Sequence, residues 1–356
     1  MKGIILHGGS GTRLRPLTYT DVKQLLPIAG KPVSEYALEN LKELGIKDIN
    51  IIIGEIGGNE VKEYYGNGSK WGLNTSYTYQ GKPLGIAHAI SLVKDFILDD
   101  DFVVVLGDNY FQNGLKPLFE EFLKQKCDSF VALTHVSNPR QFGVAEVNGG
   151  KIVKLVEKPK EPKSNLAIAG AYFLKPVIFD VISELKPSWR NELEITEAFQ
   201  LMIERGMNVG YSVIDGWWKD TGTAEEFLEC NRLVLDRIEP KARSKEWKEG
   251  EVFGRVYLGN NVVIRGKSRV IGPSFIGDNT VIDDSYIGPF SSIGKDCNIV
   301  KSEIEDSVIM DGCSIYLENR RRIRNSMLGP NTCVSSLNND LEPVKLILGR
   351  DSKITL

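Results

Sequence analysis

The carboxyl-terminal part of the chain contains a repeat that restricts its fold more than any other feature of the sequence. From residue 258 a branched apolar residue returns at every fifth or sixth position, and glycine or aspartate often follows it. These positions are Leu258, Ile264, Val270, Ile276, Ile282, Ile287, Ile293, Ile299, Ile304, Ile309 and Ile315. A hexapeptide period is typical of a parallel β-helix, in which short strands form triangular turns and stacked turns bury a continuous core. An antiparallel sandwich of short strands is the alternative, which the near-regular spacing disfavours.

The amino-terminal part has the order of an α/β domain. An apolar run at Lys2–Leu6 leads into a glycine-rich turn, and a helical stretch follows at Val33–Leu44. Strand, helix and a further strand at Ile49–Ile53 predict an α/β fold with a parallel sheet. Another apolar run, Phe102–Leu106, leads into the polar segment Gly107–Asn109. Open α/β sheets bind ligands beyond the carboxyl ends of their strands, so this segment is a candidate binding site.

Length, charge and cysteine content narrow the functional classes. The 356 residues suggest about two domains, and we place the α/β domain at 1–240, the β-helix at 250–335 and a tail at 336–356. A net charge of −3 argues against nucleic acid as a partner, and the apolar runs are too short to span a membrane. The amino terminus lacks a signal-peptide pattern and the five cysteines form no C-x-x-C motif, so we expect a cytoplasmic protein with reduced thiols.

The strongest chemical signal is the glycine-rich loop that directly follows the first strand. Its glycines allow backbone amides to approach a phosphate closely, and Arg13 adds a planar cationic group. A Walker A loop is excluded because no Gly-Lys-Ser/Thr sequence follows, and a dinucleotide fingerprint is excluded because Leu14 stands at the third glycine. Lys23 lies a short distance further along the chain and adds another cation. The sequence therefore predicts a phosphate-binding site that is neither a Walker A loop nor a dinucleotide-binding loop.

Taken together, the motifs resemble those of sugar-1-phosphate nucleotidylyltransferases, most closely the long glucose-1-phosphate thymidylyltransferases. The resemblance extends over about the first 235 residues. Its motifs are Gly8–Arg13, Lys23–Pro27, Leu106–Asn109, Phe142–Val144, Glu157–Pro159, Glu192–Thr196 and Trp218–Thr223. The repeat is similar to the left-handed β-helix of the longer members of this superfamily. The resemblance therefore implies a Rossmann-like nucleotidyltransferase domain with a mixed, mainly parallel sheet, followed by a left-handed parallel β-helix.

This resemblance implies a magnesium-dependent transfer of a thymidylyl group from dTTP to glucose 1-phosphate, giving dTDP-glucose and pyrophosphate. A sugar-phosphate oxygen attacks the α-phosphate directly, so no protein nucleophile is expected. Two polyanions must meet, which requires fixed cations and hard oxygen ligands for the metal. By this resemblance the catalytic residues are Arg13, Lys23, Asp108 and Lys158, and the ligands of Mg²⁺ are Asp108 and Asp220.

The same resemblance implies which residues contact the substrates. For the nucleotide they are Gly8, Gly9, Gly11, Thr12, Arg13, Lys23, Gln80, Gly85 and Asp108. For the sugar phosphate they are Asn109, Gly143, Glu157, Lys158, Ile168, Tyr172 and Arg190. The amide of Gln80 offers a donor and an acceptor to thymine or uracil. It does not separate these bases, because one methyl group is worth only about 1 kcal/mol. Tyr172 can equally be a core aromatic residue.

Four residues depart from the pattern of the family, one of them Asn191, which stands where glycine is usual before Glu192. His7 replaces a usual alanine and His88 a usual glutamine, both near the expected nucleotide site. His7 is interpreted either as a contact to ribose or base or as a packing residue. Phe142 precedes Gly143 where many relatives have tyrosine, which leaves the sugar preference open.

Several alternatives to this reading stay open. The enzyme could use UTP and make UDP-glucose, or the chain could be a non-catalytic nucleotide-sugar sensor, although the cations and aspartates of the motifs are all retained. An acetyltransferase in the β-helix is disfavoured, because His7, His88 and His135 all precede it. We expect a homo-oligomer, and the β-helix could serve stability or assembly.

Overall fold

The structure of the protein is a computed structural model that describes residues 1–9, 11–242, 250–317, 322–335 and 344–355. The chain forms two compact units. The first combines Met1–Gly9 with Ser34–Asp220, and the second combines Ser10–Val33 with Thr221–Leu356. The segment Ser10–Val33, which follows the first strand, thus belongs to the same unit as the β-helix. The domain limits inferred from the sequence remain predictions. Within the described ranges, no helix is both long and apolar enough to cross a membrane.

The part of the chain before the β-helix contains both α-helices and β-strands. The helices are α1 Val33–Glu43, α2 Gly58–Tyr65, α3 Ile86–Ser91, α4 Lys94–Ile97, α5 Lys116–Gln125, α6 Ile178–Ile182, α7 Ile195–Glu204 and α8 Ala224–Leu235. The strands up to residue 220 are β1 Lys2–His7, β2 Pro27–Ile28, β3 Lys31–Pro32, β4 Asp48–Gly54, β5 Asn74–Gly81, β6 Phe102–Leu106, β7 Asn109–Phe111, β8 Ser129–His135, β9 Gly143–Asn148, β10 Lys151–Glu157, β11 Leu166–Leu174, β12 Val209–Val213 and β13 Trp218–Asp220.

The first unit is built around one mixed sheet. Its strand order is β10-β9-β11-β6-β1-β4-β5, and β8 pairs with β11 and β12. The strands β5, β4, β1 and β6 are parallel, whereas β11 is antiparallel to β6. Ile4 and Val104 are fully buried in one core with Ile90 of α3, Phe179 of α6 and Phe199 of α7. Strands buried in this way read as continuous apolar runs, and the predicted Rossmann-like fold is confirmed.

The second unit contains a β-helix of short parallel strands. These are β14 Lys241–Ala242, β15 Glu251–Phe253, β16 Val256–Leu258, β17 Val263–Arg265, β18 Arg269–Ile271, β19 Ser274–Ile276, β20 Val281–Asp283, β21 Tyr286–Ile287, β22 Ser291–Ile293, β23 Asn298–Val300, β24 Glu303–Glu305, β25 Val308–Ile309, β26 Ser314–Tyr316, β27 Arg322–Arg324, β28 Met327–Leu328, β29 Cys333–Ser335, β30 Ile347–Leu348 and β31 Lys353–Thr355. They form three parallel sheets. Every predicted repeat position is at most 2% exposed, and successive turns place Ile264, Ile282 and Ile299 in register. The prediction of a left-handed parallel β-helix is confirmed.

Small hydroxyl side chains at the turns connect successive coils of the β-helix. Ser268 Oγ donates to Ile282 O at 3.2 Å and accepts from Ser285 N at 3.1 Å. Ser285 repeats this pattern one coil further, with Ile299 O and Ser302 N as its partners. Because buried backbone groups are costly to leave unpaired, these hydroxyls stabilise the turns between the strands.

Two of the parallel sheets of the β-helix continue beyond residue 335, into the segment that is predicted to be a tail. β30 pairs with β28 and β31 pairs with β29, both in parallel. These strands extend the stack past residue 335, while residues 336–343 lie outside the described part of the chain.

Candidate active site

Asp108 lies at the carboxyl edge of the parallel strands. Gly107 N donates to Leu6 O at 2.9 Å, so the chain leaves β6 beside the end of β1. His7, the last residue of β1, pairs with Ile53 near the end of β4. The loops that follow these parallel strands therefore begin at one edge of the sheet, which is where such sheets bind ligands.

A two-stranded ribbon brings the second predicted metal ligand to the same place. β13 is antiparallel to β7, and Asp220 lies directly opposite Asn109, the residue after Asp108. Asn109 Nδ2 donates to Asp108 Oδ1 at 2.7 Å, and Asn109 Oδ1 accepts from Trp218 Nε1 at 2.8 Å. Asn109 is 1% exposed, so its amide orients Asp108 from inside the protein. Its predicted contact with the sugar phosphate stays a prediction.

The chemistry of these two carboxylates fits a magnesium ion. Mg²⁺ prefers hard oxygen ligands and usually takes one or two carboxylates, while waters and substrate phosphates complete the octahedron. Asp108 and Asp220 provide such a pair at one end of the ribbon. Among the described residues, no group of three or more His, Cys, Asp and Glu side chains is arranged around a common centre.

Gln80 is fixed in one orientation at the end of β5. Its Nε2 lies 3.2 Å from Gly85 O and 3.3 Å from His88 Nδ1. Gly85 O can only accept, so the amide nitrogen must face it, and the amide oxygen faces the opposite way. That oxygen lies 3.0 Å from the point where a Cβ on Gly8 would be. The structure thus brings together Gly8, Gln80 and Gly85, three of the residues predicted to contact the nucleotide. It also shows that His88 is a hydrogen-bond partner of Gln80.

The loop around Gly85 is joined to the segment that begins α7. Ala87 N donates to Leu193 O at 3.1 Å, and Leu193 N donates to Leu84 O at 2.8 Å. Gly85 has φ of 104°, and a Cβ there would lie 2.3 Å from Leu193 O. Only glycine fits this close approach of two backbones.

Glu157 is the centre of a cluster on the predicted sugar side. Its Oε2 accepts from Thr196 Oγ1 at 3.0 Å, and its Oε1 lies 3.5 Å from Arg190 Nη1. Lys158 Nζ lies 3.7 Å from the same oxygen. Burial raises the pKa of the Glu157 carboxyl, and the neighbouring carboxylate of Glu194 adds to this rise. The cations Lys158 and Arg190 lower this pKa, so a half-buried carboxylate is held among paired charges.

Two members of this cluster are absent from the residues predicted from the motifs. Thr196 holds Glu157, and Glu194 Oε1 accepts from Arg190 Nη1 at 3.2 Å and from Ser188 Oγ at 3.0 Å. Both lie in the Glu192–Thr196 motif, which supports the resemblance but assigns them no role. Their role is visible only when β10 and α7 are placed side by side.

Gly143 and Ile168 also belong to this region. Gly143 pairs with Glu157 across β9 and β10. A Cβ on Gly143 would lie 2.4 Å from Thr196 Cγ2 and 3.3 Å from Ile168 Cδ1. The structure therefore brings these predicted residues together, and glycine is required by the close contact with Thr196.

Tyr172 and His7 are both core residues. Tyr172 packs on Phe199 with ring centroids 5.8 Å apart, and burial followed by the carboxylates of Glu157 and Asp108 raises its pKa. Burial lowers the pKa of His7 to about 3, against the attraction of Asp108, so its ring is neutral. His7 packs edge-on against Tyr65 at 5.8 Å and is 3% exposed. These contacts favour the packing interpretation of both side chains.

The remaining predicted nucleotide residues follow β1 in the chain. Gly8 and Gly9 belong to the first unit, and Gly9 has φ of 109°. Gly11 belongs to the second unit and has φ of 58°. Thr18 Oγ1 donates to Gly11 O at 2.7 Å, which closes the loop on itself.

Thr12, Arg13 and Lys23 lie on short 3₁₀ turns of the second unit. A Cβ on Gly222, just before α8, would lie 2.7 Å from Arg13 Nη2, so the guanidinium rests against this backbone. Lys23 is only 8% exposed, a degree of burial that lysine reaches mainly when it is paired. Arg13 is thus an exposed cation whose guanidinium touches the Gly222 backbone, whereas Lys23 is buried.

Comparisons with known proteins identify relatives of this chain. A family model described as nucleotidyl transferase matches residues 2–237. Glucose-1-phosphate thymidylyltransferase of Streptomyces griseus is 42% identical over 354 residues, which cover 99% of each chain. The low-salt glycan biosynthesis nucleotidyltransferase of Haloferax volcanii is 44% identical over 359 residues, which cover 100% of each chain.

Solved structures match about two thirds of the chain. A crystal structure of UDP-glucose pyrophosphorylase with UDP-glucose matches with a TM-score of 0.60 and 29% identity, covering 66% of this chain and 98% of that one. The family model spans well over half of the chain, and the relatives match almost its whole length. The resemblance inferred from the motifs is therefore confirmed, and this chain is an enzyme that belongs to the nucleotidyl transferase family.

Proposed function

We propose that this enzyme transfers the thymidylyl group of dTTP to glucose 1-phosphate and releases pyrophosphate. The observation that carries this proposal is the pairing of β7 with β13, which brings Asp108 and Asp220 to one end of the ribbon. The name of the Streptomyces griseus relative, which matches over the full length, supports the choice of substrates. We expect the enzyme to act in the cytoplasm, where both substrates are metabolites, and as a homo-oligomer.

The proposed reaction is a direct displacement at the α-phosphate. An oxygen of the sugar phosphate forms a bond to this phosphorus, the bond to the bridging oxygen of the β-phosphate breaks, and pyrophosphate leaves with the electron pair. Arg13 and Lys23 would hold the triphosphate and offset the charge on its equatorial oxygens. Lys158 would hold the attacking phosphate as a point charge. Mg²⁺ bound at Asp108 and Asp220 would neutralise further phosphate charge.

The orientation of the Gln80 amide favours binding of a nucleotide whose base is a pyrimidine with a proton on N3. Both hydrogens of its amide nitrogen have acceptors, in Gly85 O and His88 Nδ1, so the oxygen remains to accept from the base. Thymine and uracil have N3–H, whereas N3 of cytosine is itself an acceptor. This contact favours dTTP and UTP alike over CTP, so UDP-glucose formation stays the second candidate.

Pyrophosphate release with glucose 1-phosphate and magnesium tests the proposal. We expect the highest kcat/KM with dTTP when dTTP, UTP, CTP, ATP and GTP are compared at equal low concentration. A preference for UTP would keep the mechanism and change the product to UDP-glucose. No release with any nucleotide, also when other sugar phosphates replace glucose 1-phosphate, would support the sensor alternative.

Replacing His88 should weaken the selection of the base. In His88→Ala the Gln80 amide keeps only Gly85 O as an acceptor, so its orientation toward the base is held less firmly. We expect the ratio of kcat/KM for dTTP over dCTP to fall about tenfold, as for the loss of one orienting hydrogen bond. His88→Gln is the matched control, because its amide oxygen can accept from Gln80 and should retain the ratio. Equal ratios in the unmodified enzyme and His88→Ala would contradict this role.

A further inference from the structure

A buried asparagine of α8 holds the turn between β2 and β3. Ala29 N donates to Asn231 Oδ1 at 2.9 Å, and the same oxygen accepts from Ser292 Oγ at 2.7 Å. Asn231 Nδ2 donates to Phe290 O at 3.3 Å, and the side chain is fully buried. Ala29 N can only donate and Phe290 O can only accept, so this amide has a single orientation. One side chain therefore joins the turn to the β-helix.

The glycine of the same turn packs against an aromatic ring of the β-helix. A Cβ on Gly30 would lie 2.0 Å from Phe275 Cζ, so the backbone of the turn lies directly against the ring. Gly30 has φ of 78°, a conformation that glycine adopts at low cost. Phe275 is stacked with Tyr257 at a centroid distance of 4.9 Å, so the ring is itself part of a packed pair.

A second set of contacts joins the earlier part of this loop to the last strands of the β-helix. Arg350 donates to the carboxylate of Asp21, a residue 329 positions away in the sequence. The Asp21 side chain is only 12% exposed. A Cβ on Gly349 would lie 3.2 Å from Pro16 O. The loop is thus held by the β-helix at two separate places.

We propose that the β-helix positions the loop of residues 11–33 for binding of the triphosphate, with Asn231 and Phe275 as positioning residues. The inference rests on the proposed roles of Arg13 and Lys23, which lie in this loop. Short 3₁₀ turns and a two-stranded hairpin have little stability of their own. External contacts that fix them reduce the free energy needed to order the loop around a ligand. The β-helix then has a function in substrate binding as well as in stability.

The substitution Phe275→Ala tests this proposal from the side of the β-helix. We expect it to raise the KM for dTTP about tenfold and to change the KM for glucose 1-phosphate by less than about twofold. Tyr286→Ala is the matched control, because Tyr286 is also a half-buried aromatic residue but lies on β21, in a different sheet. It should leave both KM values unchanged. Thermal unfolding of each variant measures the effect on stability separately.

Gly30→Ala tests the same contact from the side of the loop. Its added methyl group would collide with the Phe275 ring, so we expect a rise in the KM for dTTP of at least about tenfold. The double variant Gly30→Ala with Phe275→Ala restores the space and should recover part of the affinity. The backbone strain of alanine is present with and without the ring, so the double-mutant cycle isolates the contact itself.

Three results would overturn the inference. The first is an equal change in the KM for dTTP in Phe275→Ala and Tyr286→Ala, and the second is a Phe275→Ala variant that differs only in melting temperature. The third is a double variant that is no better than Gly30→Ala alone. An unmodified protein without turnover or binding of any nucleotide would reject the proposed function, and the inference with it.

Discussion

Asp220→Asn will lower kcat by at least about a hundredfold while the protein stays folded. Asparagine keeps the size of the side chain and removes the negative charge, so one of the two carboxylates at the end of the β7–β13 ribbon is lost as a hard, charged ligand. The metal that Asp220 would hold offsets negative charge in the transition state, and loss of such stabilisation costs about 10²–10³ in kcat. Pyrophosphate release at saturating substrates, measured over a magnesium titration, checks this result.

A neighbouring aspartate provides the control for this variant. Asp215 is exposed and lies five residues before Asp220 in the same segment. Asp215→Asn removes the same charge from the protein and should leave kcat and the magnesium dependence unchanged. Equal activity of Asp220→Asn and Asp215→Asn would remove Asp220 from the proposed metal site.

The β-helix could be predicted from the sequence because the pattern that specifies it repeats within short stretches of the chain. Each repeat places one branched apolar residue inward, so the period alone identifies Ile276, Ile293 and Ile309 as buried. These three residues stack in adjacent strands of one sheet. The last strands escaped prediction because residues 336–343 interrupt the period before Leu348 joins the stack.

The site could be predicted only in part, because its residues meet through long-range contacts. Asp108 follows a recognisable strand, and the edge where it lies follows from the parallel sheet. The contact of Thr196 with Glu157 joins residues 39 positions apart, and that of Ala29 with Asn231 joins residues 202 positions apart. No pattern in one sequence specifies such pairs, so the supporting residues Thr196 and Asn231 were not predicted, and the roles of the motif residues stay predictions.

Long-range contacts also decide which compact unit a segment of the chain belongs to. Composition changes near residue 250, but the loop before Val33 groups with the β-helix through Asn231, Phe275 and Arg350. Those contacts depend on where the chain returns after more than two hundred residues. A loop that is adjacent to β1 in sequence is therefore supported by elements at the other end of the chain.

Gly85→Ala will lower kcat/KM for both substrates by at least about a hundredfold. The new Cβ would lie 2.3 Å from Leu193 O and 2.7 Å from Leu193 N, which are backbone atoms fixed by hydrogen bonds to the Gly85 loop. The two segments must separate, so Gly85 O moves away from Gln80 while the chain before Glu194 moves with Leu193. One methyl group thus disturbs the base contact and the cluster around Glu157 together, and overpacking of this kind costs about 1–3 kcal/mol in stability as well.

Gly81→Ala separates the effect of backbone conformation from that of the collision. Gly81 also has a positive φ of 70°, but a Cβ there meets only Tyr79 Cε1 at 3.7 Å. This variant should lose about 1 kcal/mol of stability through the left-handed backbone and retain its activity. Steady-state kinetics with each substrate varied in turn, together with thermal unfolding, compare the two variants. Similar kinetics in both would mean that the close approach of Gly85 to Leu193 does not support the site. The expected result is that Gly85→Ala raises the KM values for dTTP and glucose 1-phosphate together and Gly81→Ala raises neither. The base contact at Gln80 and the cluster around Glu157 then both depend on the close approach of the Gly85 and Leu193 backbones.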